Sequence, residues 1–478
     1  MSRWRWWWVL TLLPAPCLHA FDGSLDPAFG PGGQQALAYP LAAGDDSDAG
    51  VALLSDSLGR RIVLISRRNP FPVAASRPLE LIMFRYLASG APDTSLNFGT
   101  AYRRLQTDWT EFRGALVDRS NRIVVVGTIV DGAPANAALS LLRLLPDGSR
   151  DESFDGGVGN SGISSFIFGS SVDSRAVAVA LMPNDDLVCA GNLADGNGNL
   201  ILRRISGTNG TPIESWGNGF GFQTIDLQPS ANAARDTVVG LAALPDNRVV
   251  VLAQSCSSAL GCRPAAAQLL AANGQLDTTF CASAACIAGS VTGANHGKRV
   301  LRDPQLSGYT ISAVSTTLGL REDSGRLLLA GRATVSSGQA PMLLARLNAN
   351  GDLDNSFGDL ATPGYQGLSL ADAPLTPGAL VPDGAARYLI GGTSERAGLR
   401  RIFLARFTAN GVPDASFAAS GALAEYFASP ASADRALRAL AIDGSKVLGL
   451  GDYNGASNRD AFWFRTGSDA LFVDGFEG

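Results

Sequence analysis

Lysine and histidine are almost absent from this sequence. Among 478 residues, lysine occurs only at Lys298 and Lys446, and histidine only at His19 and His296. The 38 basic residues are outnumbered by 43 acidic ones, which gives a net charge of −5. This balance excludes the basic surface that nucleic-acid binding needs and the polybasic run that binds anionic lipids. With only two histidines, a catalytic triad or a histidine-ligated metal has few possible members. We therefore expect no catalytic residues, no metal and no cofactor.

Apolar runs long enough to cross a bilayer are missing too, since no stretch of 18 or more apolar residues occurs. Residues 1–20 instead have the form of a secretory signal peptide. Arg3 and Arg5 give a positive start, residues 6–13 are apolar, and residues 18–20 suit cleavage. A buried first strand and lipoprotein processing at Cys17 are the alternatives. We expect 1–20 to be removed, the net charge to become −7, and the protein to be secreted, periplasmic or at the cell surface, without a membrane span.

The cysteines agree with export. Two closely spaced pairs, Cys256 with Cys262 and Cys281 with Cys286, lie in Gly-, Ser- and Ala-rich stretches. In an oxidising compartment each pair most simply forms a local disulfide. A zinc site is the alternative, but neither pair has the Cys-x2-Cys spacing that zinc sites use. Cys189 lies in an apolar strand pattern and is expected to be a buried, inert thiol.

One turn motif recurs seven times. In each copy a glycine is followed three residues later by an acidic residue and six residues later by a large apolar residue, usually aromatic. Copies two and four are degenerate, because Leu96 replaces the aromatic residue and Ile213 the acidic one. The spacings run from 58 to 77 residues, which predicts repeated supersecondary units. The motif glycines are Gly23, Gly90, Gly148, Gly210, Gly274, Gly351 and Gly411.

Each unit carries the pattern of four short antiparallel strands. Between motifs lie two apolar runs joined by a turn, then a third strand that leads into the motif, and a fourth strand should leave it. Seven such units predict an all-β, seven-bladed β-propeller of four-stranded blades over residues 21–466. A strand near residues 34–39 would complete the last blade beside residues 462–465 and close the ring. A row of sandwich domains is less suitable, since units of about 65 residues are small for it.

The motif copies at residues 23–30 and 351–358 resemble the bacterial delta-60 repeat. The resemblance extends over nearly all of residues 21–466 and implies a propeller and an exported protein. The family has no settled activity, so the resemblance implies no chemistry. Residues 471–477, within the tail 467–478, also look like a short tail of secreted bacterial proteins.

The repeated polar residues are interpreted as structural. The motif aspartate often follows an arginine by eight residues, and the pairs are Arg85/Asp93, Arg143/Asp151, Arg346/Asp354 and Arg406/Asp414. Because these pairs recur in several blades, we expect the aspartate to cap turn amides rather than to act in catalysis. We expect the motif aromatic residues to pack between blades. Weak calcium binding by Asp352 and Asp354 is the alternative.

Antiparallel blades sort their connections between two faces. We name the end that holds the first-to-second and third-to-fourth connections the motif face, and the other end the opposite face. The long segments 66–78, 100–113, 255–263, 281–315 and 452–460 are predicted to lie on the opposite face, together with both cysteine pairs. Loops on a rigid scaffold are common binding sites, so the candidate binding residues are Arg67, Arg68, Phe71, Tyr102, Trp109, His296, Lys298, Arg299 and Tyr453.

Two functions remain open. The favoured one is a monomeric, non-enzymatic scaffold that binds a protein or glycan partner through the opposite face. The alternative is a propeller enzyme, such as a hydrolase, a lyase or a quinone-dependent dehydrogenase, with its site on the same face. The sequence contains no recognisable catalytic motif, which favours the scaffold.

Overall fold

The computed structural model describes residues 25–466 apart from short gaps, and does not describe residues 1–24 or 467–478. The expected signal peptide and tail therefore lie outside the described residues. The gaps are 27–28, 30–33, 38–47, 69–78, 98, 132–135, 157–160, 169–171, 197, 229–234, 292–296, 323, 337–339, 371–372, 385–386, 397–398, 418–422, 431–433, 444–445 and 455–458.

Seven antiparallel sheets of four strands build the protein, as the sequence predicted. Blade 1 is β2 (Asp48–Ser55), β3 (Arg61–Arg68), β4 (Leu79–Tyr86) and β5 (Tyr102–Gln106); blade 2 is β6 (Trp109–Val117), β7 (Ile123–Asp131), β8 (Asn136–Leu144) and β9 (Ile163–Phe166); blade 3 is β10 (Ser174–Leu181), β11 (Leu187–Leu193), β12 (Leu200–Ile205) and β13 (Phe222–Ile225). Blade 4 is β14 (Arg235–Ala243), β15 (Val249–Ser257), β16 (Gly261–Leu269) and β17 (Lys298–Val300); blade 5 is β18 (Ile311–Arg321), β19 (Leu327–Val335), β20 (Met342–Leu347) and β21 (Tyr365–Leu368).

The last two blades follow the same order. Blade 6 is β22 (Leu375–Asp383), β23 (Arg387–Arg396), β24 (Leu399–Phe407) and β25 (Leu423–Pro430). Blade 7 is β26 (Asp434–Asp443), β27 (Lys446–Asn454) and β28 (Arg459–Arg465), with β1 (Gln34–Ala36) as its fourth strand. Sequence reasoning expected no helix, but a short one, α1 (Ala284–Ala288), lies in blade 4.

The first strand of the chain belongs to its last sheet. β1 pairs antiparallel with β28, and Gln34 lies opposite Phe464. Beside this pair, one carboxylate oxygen of Asp26 accepts hydrogen bonds from Arg465 Nε at 2.8 Å and from Lys446 Nζ at 2.6 Å. The N-terminal segment is thus held to blade 7 by a strand pairing and two ion pairs.

The core lies between the blades. The first strand of each blade contacts the first strand of its neighbours, and β2 also contacts β26 of the last blade. Second strands are covered on both faces, so residues 123–126 of β7 are all fully buried. This explains the continuous β-branched runs of the sequence, which are typical of strands with two buried faces.

Where the motif is intact, it forms a joint within the blade. In blade 2, Arg143 Nε donates to Asp151 at 2.8 Å, and the other oxygen of Asp151 accepts from the amide and hydroxyl of Ser153. The guanidinium carbon of Arg143 lies 4.3 Å from the centre of the Phe154 ring. The same set of contacts recurs in blades 5 and 6. The structural interpretation of the motif is therefore supported.

The same motif joins each blade to the next. Arg143 also donates to the backbone carbonyls of Gly207 and Thr208 in the motif turn of blade 3, and Arg204 donates to Ala271 of blade 4 at 3.0 Å. Gly274 of blade 4 has φ +66, and a Cβ there would lie 2.5 Å from the ring of Trp216 in blade 3. Glycine is needed at this position for both reasons.

The connections differ from the expectation. The longest ones join third to fourth strands on the motif face, for example residues 145–162 in blade 2 and 270–297 in blade 4. The predicted loop 100–113 consists mostly of β5 and β6, joined by only residues 107 and 108. The reason is that the chain must place the motif aromatic residue against the next blade before the short fourth strand begins.

Removing a motif aromatic side chain should destabilise the protein strongly. Phe154 is fully buried, so Phe154→Ala is expected to cost about 3–5 kcal/mol of unfolding free energy. Urea denaturation followed by circular dichroism measures the loss. Leu360→Ala, at a side chain that is 98% exposed, is the control and should change stability by less than about 0.5 kcal/mol. Equal effects of the two substitutions would contradict the packing role.

Candidate functional site

All seven innermost strands carry a β-bulge at the same level. The register shifts lie at Gly50/Ala52, Phe112/Gly114, Ala176/Ala178, Val238/Gly240, Thr316/Leu318, Pro377/Ala379 and Leu437/Ala439. A bulge leaves one residue unpaired and disrupts the local ladder, so the backbone groups there need other partners. These bulges lie at or close to the middle of the inner strands.

Side chains of the preceding blade supply those partners in two places. Thr128 Oγ1 accepts from the amide of Ala176 at 3.3 Å, and Asn192 Oδ1 accepts from Val238 at 2.9 Å. The equivalent residue in blade 5 is Arg332, which can only donate. The bulge residue facing it is Pro377, which has no N–H. The hydrogen bond from a bulge amide to a side chain of the preceding blade is therefore not made here. The guanidinium of Arg332 has no such structural contact.

A cavity of about 390 Å³ lies at this point, between the inner strands of blades 5 and 6. Its described lining combines the guanidinium of Arg332 with hydroxyl groups, and its polar members are Ser315, Thr317, Arg332, Thr334 and Thr376. Arg332 is exposed and has no ion pair or hydrogen bond with any side chain that the structure describes. The cavity can therefore bind a ligand that carries a negative charge and accepts hydrogen bonds from hydroxyls.

Other exposed arginines lie on the inner strands near the opposite face. Arg113 pairs with Glu111, Arg175 lies 3.9 Å from Asp173, and Arg438 lies 2.5 Å from Asp452. These three charges are neutralised locally. Arg332 differs from these three in having no described acidic partner, a property that it shares with the exposed Arg235 of β14. Of these two arginines, Arg332 lines the cavity.

Three of the candidate binding residues are buried strand residues, and the expectation that they lie in long loops of the opposite face is wrong. Trp109 starts β6, is fully buried and stacks on Phe112 with ring centres 5.1 Å apart. Arg67, 1% exposed, lies beside Asp48 at 3.9 Å. Arg299 is buried and donates to the carbonyl of Gly351 in blade 5. All three pack at strand level rather than in loops, because the strands extend further than the sequence pattern indicated.

The other candidates are divided between half-buried and undescribed positions. Tyr102 and Tyr453 are half-buried, on β5 and β27, and Tyr102 lies 6.1 Å from the ring of Phe84. Phe71, His296 and the side chain of Arg68 lie outside the described residues. The structure therefore does not bring the six described candidates together into one site, since they lie in blades 1, 2, 4 and 7.

Lys298 belongs to a buried polar cluster between blades 3 and 4. Its ammonium group donates to the carbonyl of Asp226 at 2.6 Å. Nearby, the carboxylate of Asp236 accepts from Ser255 Oγ at 2.5 Å and from the amide of Leu227 at 2.7 Å. Burial raises the pKa of Asp236 to about 6. Lys298 is 7% exposed and starts β17, so it lies in this buried cluster rather than in the predicted loop.

Both predicted disulfides are present, but on different faces. Cys256–Cys262 joins β15 to β16 at the opposite face. Cys281–Cys286 lies in the third-to-fourth connection of blade 4, on the motif face, next to α1. The expectation that both share the opposite face is wrong, because residues 281–297 precede β17 rather than follow it. Cys189 is a buried free thiol, and burial raises its pKa to about 12, which suits an inert side chain.

Among the residues that the structure describes, no group of three or more His, Cys, Asp or Glu side chains is arranged to hold a metal ion. No helix among them is long and apolar enough to cross a membrane.

Comparison with known proteins supports the fold. Residues 119–154, 323–357 and 386–417 match a family described as a domain of unknown function (DUF5122) β-propeller. The three segments lie in blades 2, 5 and 6. Each ends on the motif aromatic residue, which is Phe154, Phe357 or Phe417. No curated protein matches the chain. The protein is a seven-bladed β-propeller with similarity to this family in three blades.

Solved structures resemble the chain at low identity. The propeller domain of the Trilobed protease from Pyrococcus furiosus is 8% identical, with a TM-score of 0.40 over 89% of this chain and 94% of that one. Drosophila Semaphorin 1a, extracellular domains 1–2, is 10% identical and has a TM-score of 0.40, and the match covers 90% of this chain and 89% of that one. The NanB sialidase of Streptococcus pneumoniae is 8% identical and has a TM-score of 0.39, and the match covers 91% of this chain and 70% of that one. At this level of similarity the three proteins carry no argument about function.

Asp236 should make stability depend on pH. Its pKa in the folded protein, about 6, lies above the ordinary value of 3.8. The folded state therefore binds the proton more tightly, and this stabilisation is complete below about pH 4 and lost as the pH rises to about 6, by roughly 3 kcal/mol. Asp236→Asn should abolish that loss between pH 4 and 6 in urea titrations. The control Asp108→Asn, at an exposed site on the same face, should keep the wild-type loss of stability between pH 4 and 6. Identical pH profiles for wild type and Asp236→Asn would refute the role of Asp236.

Proposed function

We propose that the protein is a non-enzymatic binding scaffold that recognises a protein or glycan partner through its opposite face. The observation that carries this proposal is the cavity between blades 5 and 6, where Arg332 has no described partner and is surrounded by hydroxyl groups. A guanidinium that is not committed to an internal ion pair is available for a carboxylate or another anion on the partner. The partner therefore presents a negative group at this contact.

The lining of the cavity favours binding over catalysis. Its described polar side chains are serine, threonine and arginine. Hydroxyl groups and a guanidinium can orient a ligand, but none of them is a general base at neutral pH without a neighbouring activating group. The alternative of a propeller hydrolase, lyase or quinone-dependent dehydrogenase would need an acid–base pair or a cofactor contact that this lining does not supply.

An exported location fits this proposal. Two disulfides form most readily in an oxidising compartment, and residues 1–20 have the pattern of a signal peptide. We propose that the protein acts as a monomer in the periplasm, at the cell surface or outside the cell. A partner at any of these places can be an acidic glycan or a protein with an exposed carboxylate.

The test is a binding screen followed by one substitution. Wild-type protein is applied to glycan arrays and to surface proteins of the same cells, and the hits are measured again with Arg332→Gln. Loss of the charge-assisted contact should weaken binding by roughly 10- to 100-fold, with an unchanged melting temperature because Arg332 makes no described internal bond.

The matched control is Arg119→Gln, at an exposed arginine in a motif-face turn, whose bonds to the exposed Asp185 and to the carbonyl of Met182 are at the surface and contribute little to stability. It should leave both binding and melting temperature unchanged. The proposal is wrong if no hit is found, if Arg332→Gln binds every hit as tightly as wild type, or if a hit is turned over as a substrate.

A further inference from the structure

A single buried position breaks the repeat in blade 3. On each third strand, the residue just before the motif arginine, or before its replacement Gln268 in blade 4, packs between blades. In six blades this residue is apolar and buried: Phe84, Leu142, Ala267, Ala345, Ala405 and Phe464. In blade 3 it is Arg203, which is only 7% exposed. The fold therefore does not require a charge at this position.

Arg203 is buried without an acidic partner among the described residues. Its Nε and Nη1 atoms are buried without a hydrogen-bond partner, and no acidic side chain that the structure describes forms an ion pair with it. Its guanidinium carbon lies 4.0 Å from the centre of the Phe166 ring, which offsets part of the cost of burial. Burial lowers the pKa of Arg203, but arginine stays protonated in proteins. A buried charge that faces one ring and no anion costs stability.

Four phenylalanines run along the rim beside Arg203. Phe166 and Phe168 come from blade 2 and lie 5.3 and 5.1 Å from Phe222 of blade 3, measured between ring centres. Phe222 in turn lies 6.1 Å from Phe220, whose ring is stacked at 24° to it and which is 68% exposed. We call these four residues the Phe strip. It bridges two blades, and its outer end is open to solvent.

We propose that the Phe strip and Arg203 form a second binding site, for an acidic sugar of the hexuronate class. The apolar faces of pyranose rings pack on the phenylalanine rings, and the uronate carboxylate accepts hydrogen bonds from the guanidinium of Arg203. Charge complementarity carries the assignment, because a buried cation without an anion lies next to an aromatic cluster whose outer member, Phe220, is exposed. The ring of Phe220, stacked at 24° on Phe222, offers a flat apolar face that a pyranose ring covers better than a single carboxylate side chain does.

This site is independent of the cavity beside Arg332. The Phe strip lies on the outer strands β9 and β13 and the segments next to them, between blades 2 and 3. The Arg332 cavity lies on inner strands between blades 5 and 6. A scaffold with both sites can hold a polymeric glycan at one and its other partner at the second.

The test is affinity electrophoresis of the full chain in native gels. The gels contain polygalacturonate, its fully methyl-esterified form, or polyglutamate, which carries carboxylates without sugar rings. Wild type should be retarded by polygalacturonate and not by the other two polymers. Arg203→Leu should weaken binding to polygalacturonate by roughly tenfold or more, and Phe220→Ala by roughly three- to tenfold.

Stability provides the second readout. Leucine is the residue of blade 2 at this position, so Arg203→Leu should melt at the same temperature as wild type or higher. Phe220→Ala should melt as wild type does, because the side chain is exposed. The control Leu58→Ala, at an equally exposed apolar side chain in blade 1, should alter neither property.

Three results would overturn the proposal. One is that polygalacturonate does not retard the wild type. Another is equal retardation by polyglutamate, which would assign the surface to an acidic polypeptide. The third is normal binding by Arg203→Leu together with a lower melting temperature, which would make Arg203 a structural residue.

Discussion

The joint between consecutive blades is the interaction on which the rest of this structure depends. The backbone amide that follows a motif aromatic residue donates to the carbonyl before the next motif glycine, as from Gly217 to Asn273 at 2.7 Å and from Gly358 to Asn410 at 2.6 Å. The glycine lies directly on that aromatic ring, and the motif arginine reaches across from the preceding blade. In blades 2, 5 and 6, hydrogen bonds, ring packing and a buried ion pair therefore meet at one place.

Because the same joint recurs, the blades can differ elsewhere without loss of the fold. Two differences are informative. In blade 5, an arginine stands where other blades cap a bulge of their neighbour, and the neighbour has a proline that needs no cap. In blade 3, an arginine stands where six blades have apolar residues. In both places the fold does not require a charged side chain. These two arginines therefore indicate binding sites better than the repeated residues, which hold the blades together.

Much of the fold could be read from the sequence, but little of the site could. The glycine–aspartate–aromatic motif fixed the number of blades, and the close cysteine pairs indicated both disulfides. The loops were misplaced because the fourth strands are only three to five residues long in several blades, as in Lys298–Val300, and such runs have no clear period. Lys298 looked like a loop residue for the same reason, and Trp109 did because β6 begins before the apolar run that predicted it. Arg203 and Arg332 were detectable only by aligning the blades position by position.

The most direct test of the joint compares two glycines in urea denaturation. Gly411 has φ +79 and touches the Phe357 ring, where a Cβ would overlap it, whereas Gly308 has φ +80 and no atom within 4 Å of such a Cβ. Both alanine substitutions pay the cost of positive φ, about 1–2 kcal/mol. Gly411→Ala should lose at least about 2 kcal/mol more than Gly308→Ala, because the ring must move and the joint must open. Equal losses would show that the motif does not hold the blades together.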